Sequence, residues 1–123
     1  MILLDTSGLL WLHRGHPRAR RLNAWVGRLY ASPVSLLEIQ LLVEVGRIRL
    51  RSGAAVGDLV ADDRWAVDDP SSADLFDRAI AIGWTRDPFD RLIVAHAQLR
   101  GWRVATADGE LLERLGPDGC LEL

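Results

Sequence analysis

The sequence predicts an α/β protein, a three-layer α/β/α sandwich around a mainly parallel sheet, in one domain spanning residues 1–123. Three observations predict it. Short apolar runs alternate with stretches of helical periodicity. The connections between them are short. The first run, Ile2-Leu3-Leu4, is apolar on both faces, as a central strand covered by helices on each side must be. A chain of 123 residues can bury roughly two-thirds of its unfolded surface, so no disulfide or metal staple is needed for folding.

The elements follow in order. After the first strand comes the corner Asp5-Thr6-Ser7-Gly8 and a helix from Leu9 to His13. His16-Pro17 breaks it, and Arg18 to Gly27 makes a second helix with Leu22, Trp25 and Val26 on its buried face. Leu29-Tyr30-Ala31 is the second strand. Ser32 caps the next helix and Pro33 opens it, because the first helical N–H has no intrahelical partner to lose. Apolar spacing carries that helix from Val34 to Val45, and Gly46 closes it before the basic turn 47–51. Residues 53–63 are weakly helical, Trp65-Ala66-Val67 is a third strand, and Ser71 to Ile82 is an amphipathic helix. Asp87-Pro88 repeats the cap-then-proline device and starts a helix that Gly101 ends. Trp102 to Thr106 is a buried parallel strand stopping at Ala107-Asp108. Gly109 to Leu115 is a short helix broken by Gly116-Pro117, and Cys120 to Leu123 is a last edge strand.

Composition narrows the function. Hydrophobic content of 49% with 26% charged residues is that of a soluble globular protein, and no apolar run reaches membrane-span length. The start, MILLDTSGLLWL, has no basic flank before its apolar residues, so the expectation is a cytoplasmic protein without a secretory signal. The single cysteine, Cys120, excludes an internal disulfide and a cysteine-based zinc cage and is expected to be buried. All 15 basic residues are arginine. The absence of lysine removes glycine-lysine phosphate loops, receiver domains and Schiff-base chemistry. A net charge of −2 speaks against a general nucleic-acid coat and leaves room for a local arginine-lined groove.

Four carboxylates stand out: Asp5, Glu38, Asp90 and Asp108. Singly, Asp5 and Asp108 read as N-caps and Asp90 as a favourable charge at a helix N-terminus. Glu38 fits a Ser35-x-x-Glu38 capping box, yet Ser32-Pro33 is the better helix start, which leaves Glu38 one turn too deep to cap. Together they read differently, because in a parallel sheet every strand-to-helix corner falls on the same edge. Four carboxylates in one pocket repel, and each loses several kcal/mol of hydration unless a cation neutralises it. All-carboxylate ligation with room for water suits Mg²⁺ or Mn²⁺ and commonly serves phosphoryl transfer.

The segments DTSGLLWL, SLLEI, RDPFDRLIVAHA and ATAD resemble PIN-domain proteins, and among them the VapC-type toxins of type II toxin–antitoxin pairs. The resemblance spans essentially the whole chain, and its most specific part is DPFDRLIVAHA followed by a strand and T-x-D. It departs at His96, where an amide is more usual. It implies that Asp5, Glu38, Asp90 and Asp108 bind metal and that the activity is Mg²⁺-dependent endoribonuclease cleavage, with Mn²⁺ able to substitute. The implied mechanism is in-line attack of metal-activated water on the scissile phosphorus, with Asp108 orienting the nucleophile and products ending in 5′-phosphate and 3′-hydroxyl. Thr6 or Ser7 would support Asp5 through a hydroxyl, Thr106 would orient the site near Asp108, and Asp87 would cap its helix within reach of Asp90. The partners implied are an RNA substrate, a VapB-like antitoxin and a second copy of the chain in a homodimer.

Arginines fall into two groups, Arg14, Arg18, Arg20, Arg21 and Arg28, then Arg47, Arg49 and Arg51. They read as solvated surface or as holders of RNA phosphates, with Arg86, Arg14 and Arg18 the leading candidates and Arg86 first among them. Of the five tryptophans, Trp11 and Trp25 are expected near an interface and the rest in the core. His13, His16 and His96 do not form a zinc site; His96 lies about 120° around the helix from Asp90 and reads as packed. Two alternatives remain: a catalytically silent RNA- or partner-binding PIN module, and a PIN nuclease of RNA processing, which is expected to carry further domains.

Overall fold

In a computed structural model the described residues are 1–123. The strands are β1 (Ile2–Leu4), β2 (Leu29–Ala31), β3 (Ala66–Val67), β4 (Arg103–Thr106) and β5 (Cys120–Glu122). They form one sheet of order β3-β2-β1-β4-β5 in which every neighbouring pair is parallel. The helices are α1 (Thr6–Arg14), α2 (Arg20–Asn23), α3 (Pro33–Glu44), α4 (Val56–Ala61), α5 (Ser72–Ile80), α6 (Pro88–Arg100) and α7 (Gly109–Gly119). None is long and apolar enough to cross a membrane.

The alternation of side chains along each strand divides the core in two. Ile2, Leu4, Ala105 and Leu121 point to one face, where they meet Leu9 and Leu12 of α1, Leu22 of α2, Ile39 of α3 and Leu59 of α4. Leu3, Val104 and Cys120 point to the other, against Leu75 and Ala79 of α5, Ile93 and Val94 of α6, and Leu111 of α7. All three residues of β1 are fully buried, which is why that strand has no polar position. The expected sandwich is therefore the observed one, and Cys120 is buried and free.

Local differences have local causes. The helix expected over 18–27 is a 3₁₀ turn at Pro17–Ala19 followed by one α turn, Arg20–Asn23; Asn23, Trp25, Val26 and Gly27 are weak helix formers, and the chain must enter β2 at Leu29. Leu22 is buried as expected, whereas Val26 is fully exposed. Trp65 is not part of β3. It turns inward and donates its indole N–H to the Leu59 carbonyl at 2.8 Å. Gly116 adopts φ 66°, ψ −178° and kinks α7, but a further turn through Pro117 follows before β5.

Sequence also dictates how the helices start. Asp5 accepts from the Gly8 N–H at 2.7 Å, Ser32 from Val34 N–H at 3.2 Å, Asp87 from Phe89 and Asp90 N–H, and Asp108 from Glu110 and Leu111 N–H. Each cap lies just past or just before the carboxyl edge of the sheet, so two of the four acids singled out above, Asp5 and Asp108, are anchored there by the backbone itself, and Asp87 is anchored beside them.

Candidate metal centre

The four acids Asp5, Glu38, Asp90 and Asp108 line a single cleft of about 380 Å³ at that edge, together with Thr6, Ser7, Trp11 and Arg18. Asp5 and Asp108 come from the ends of β1 and β4, Glu38 from the second turn of α3, and Asp90 from the first turn of α6. The convergence expected from the parallel topology is present. As the side chains stand, no group of three or more carboxylate, imidazole or thiol donors is close enough to grip one ion between them.

Electrostatics in the cleft follow from burial and like charge. Asp5 is pushed up from 3.8 to about 6, by burial first; the Thr106 hydroxyl and Gly8 N–H partly offset this, and Asp108 and Glu38 add repulsion. Asp90 is pushed up to about 7, again by burial first and then by Asp87, Asp108, Glu38 and Asp5. Glu38 is raised by burial, against the bond from the Thr6 hydroxyl. No hydrogen-bond donor of the chain reaches the Asp90 carboxyl, whereas Asp5, Glu38 and Asp108 each accept at least one. A half-buried carboxyl without a donor, ringed by four acids, lacks a positive partner. That donor set fits a hard divalent cation taken up with some side-chain adjustment.

The supporting residues are partly reassigned. Thr6 does not serve Asp5: its hydroxyl donates to Glu38 across the cleft and lies 3.3 Å from the Ser35 hydroxyl, because the side chain of the first residue of α1 faces α3. Ser7 is exposed on the cleft wall and makes no side-chain bond. The buried Thr106 hydroxyl accepts from the Asp108 N–H at 3.0 Å and lies near enough to Asp5 to oppose the rise in its pKa. Asp87 is exposed and its Oδ1 is committed to capping α6.

Of the arginines, only Arg18 lines the cleft. Arg86 does not; preceding the cap, it turns back and donates to the Gly83 carbonyl at 3.0 Å. Arg14 is exposed at the end of α1, away from the cleft lining. Arg18 arrives by a tight return. Gly15 takes a left-handed conformation at φ 68°, His16 accepts from the Arg18 N–H at 3.1 Å, and the Arg18 guanidinium lies 4.8 Å from the centre of the Trp11 ring.

A family profile for the PIN domain matches residues 2–116. The chain belongs to the PIN-domain family. No curated protein matches it in sequence. Among solved structures, this PIN domain is similar to a toxin–antitoxin complex from Klebsiella pneumoniae, at TM-score 0.70 and 21% identity over 98% of this chain and 96% of that one. It is similar also to VapBC2 from Rickettsia felis, bound to a DNA fragment from its promoter, at TM-score 0.70 and 18% identity over 100% and 99%. PAE2754 from Pyrobaculum aerophilum follows at TM-score 0.62 and 22% identity over 98% and 87%. At these identities the likeness establishes the shared fold.

A second polar cluster escaped the sequence reading. Asp68, just past β3, accepts from Arg100 Nε at 2.8 Å and lies 2.7 Å from His96 Nε2, while His96 Nδ1 is buried without a partner. Burial opposes ionisation of Asp68, but Arg100 and His96 outweigh it and hold the carboxyl below its usual range. The signal in the sequence was another strand ending in Asp. Its register at the edge of the sheet turns it toward α6, away from the acidic cleft.

Proposed function

We propose that this PIN domain is a Mg²⁺-dependent endoribonuclease of the VapC type, the toxin of a type II toxin–antitoxin pair. The observation that carries the reading is the single cleft holding Asp5, Glu38, Asp90 and Asp108, with Asp90 raised to about 7 and no donor of the chain to relieve it. PIN domains are generally nucleases, and of the similar structures one is described as a toxin–antitoxin complex and another as VapBC2 bound to promoter DNA. Asp5, Glu38, Asp90 and Asp108 would hold the cation. A hard divalent ion bound there would supply a water of lowered pKa and charge stabilisation for the phosphoryl oxygens, and Mn²⁺ would substitute for Mg²⁺.

The chain's own residues supply position. Gly8 N–H fixes Asp5, Thr6 fixes Glu38, and Thr106 fixes the Asp108 N–H at the start of α7. Asp108 Oδ1 is held by two capping N–H groups, which leaves Oδ2 free of protein hydrogen bonds to orient the attacking water and accept its proton. Arg18, which lines the cleft, would hold a phosphate of the RNA. A VapB-like antitoxin that masks the cleft, a homodimer and a cytoplasmic setting complete the proposal.

The test is cleavage of a mixed RNA substrate, including intact tRNA and ribosomes, in Mg²⁺, in Mn²⁺ and in EDTA, with Asp90→Asn in parallel. Metal-dependent cutting that vanishes in the variant is expected. Folded, antitoxin-free protein that cuts no RNA under any of these conditions would replace the reading with a silent binding module.

A further inference from the structure

An acidic cleft repels the polyanion it is proposed to cut, so something beside it must hold the strand. Three adjoining clefts share walls. Arg18 lines the acidic one and also a shallow one formed with Arg20, Arg21 and Leu123; Arg21 continues into a third, where Glu122 stands. Arg18, Arg20 and Arg21 form no ion pair with any carboxylate of the chain, so their charge is uncompensated. Two are held in place by groups other than acids. The Arg18 guanidinium rests over Trp11, and Arg21 Nη1 donates to the Glu122 carbonyl oxygen at 2.7 Å. The folding of 15–21 into a left-handed turn, a 3₁₀ turn and one α turn sets the three in a row leading away from the acids.

Resting on the endoribonuclease reading, we infer that Arg18, Arg20 and Arg21 form a phosphate track that grips the RNA beside the acidic cleft. The track ends where the Glu122 carboxylate begins. Three arginines on a single strand release counterions in proportion, giving a slope of log Kobs against log salt of about −2. Each arginine removed flattens that slope by about 0.7.

The experiment measures binding of a short fluorescein-labelled RNA by anisotropy across a salt series, in an Asp90→Asn background that does not cut. Arg20→Gln and Arg18→Gln are compared with Arg78→Gln, an exposed arginine on α5 across the sheet. The expected result is a roughly fivefold weaker Kd and a slope flatter by about 0.7 for each track variant, with Arg78→Gln unchanged. Melting curves confirm that the variants are folded, for which Arg20, exposed at the start of α2, is a clean case. Wild-type slopes in folded Arg18→Gln and Arg20→Gln overturn the track and leave the nuclease reading intact. Tighter competition by polyglutamate than by unlabelled RNA overturns it in favour of an acidic protein segment. Absence of both binding and cutting of RNA by the unmodified chain overturns the nuclease reading itself, and the track with it.

Discussion

Replacing Asp90 with asparagine should make the metal-free protein more stable while removing its activity. A carboxyl whose folded pKa is raised from 3.8 to about 7 favours folding only while protonated. Below the unfolded value of 3.8 the wild-type carboxyl costs nothing; the cost accumulates as pH rises between 3.8 and about 7 and is constant above. Taken in full, that rise corresponds to ~4 kcal/mol. The side chain is only half-buried, so solvent screening reduces this to about 2 kcal/mol. Loss of a negative charge from the first turn of α6 takes back about 0.5 kcal/mol. The remainder, about 1.5 kcal/mol, raises Tm by roughly 6 °C for a domain of this size. The assay is thermal melting with EDTA at pH 8 and again near pH 4, where the difference between the two proteins should disappear. With saturating Mg²⁺ at pH 8, wild type should gain in Tm and the variant much less. An equal or lower Tm for Asp90→Asn at pH 8 in EDTA would refute the crowding of charge in the cleft.

Three further outcomes are expected. A Cβ on Gly8 would lie 3.1 Å from Asp5 Oδ1 and 3.1 Å from Leu123 Cδ1, so Gly8→Ala should displace the Asp5 carboxyl and lower RNA cleavage at least tenfold while Tm falls only a few degrees, as kinetics beside calorimetry would record. Asp68→Ala leaves His96 Nε2 buried and unpaired and should lose about 2 kcal/mol in urea unfolding, whereas Arg100→Gln, which removes only an exposed partner, should lose clearly less; equal losses would contradict the emphasis on His96. Trp65→Phe strips the Leu59 carbonyl of its buried partner and should cost about 1.5 kcal/mol by the same measurement.

Much of the acidic cleft was legible in the sequence because topology does the aiming. Once β1 and β4 are read as parallel, Asp5 and Asp108 must leave the sheet at one edge, and the two proline-started helices must begin there with Glu38 and Asp90 in their early turns. Side-chain direction within that edge was less legible. Thr6 was expected at Asp5 and faces Glu38, since one residue of helix rotation decides which wall a hydroxyl meets. Arg86 has the right chain position and the wrong aim, while Arg18 comes to line the cleft through the turn at Gly15, whose left-handed φ only the folded backbone reveals. The partnership of Asp68 with His96 depends on the register of a two-residue edge strand, and periodicity cannot resolve so short a segment.

Two of the acids proposed to hold the cation, Asp5 and Asp108, are also the residues that start α1 and α7. Asparagine caps a helix about as well as aspartate, and the codons of the two differ by a single base. A descendant of this chain could therefore lose its chemistry at either position in one mutational step and keep its shape, its solubility and whatever surface a partner recognises. On the proposed reading, inheritance of the fold would be much more secure than inheritance of the activity, and the identity of a single side-chain atom at each cap would separate an active lineage from an inert one.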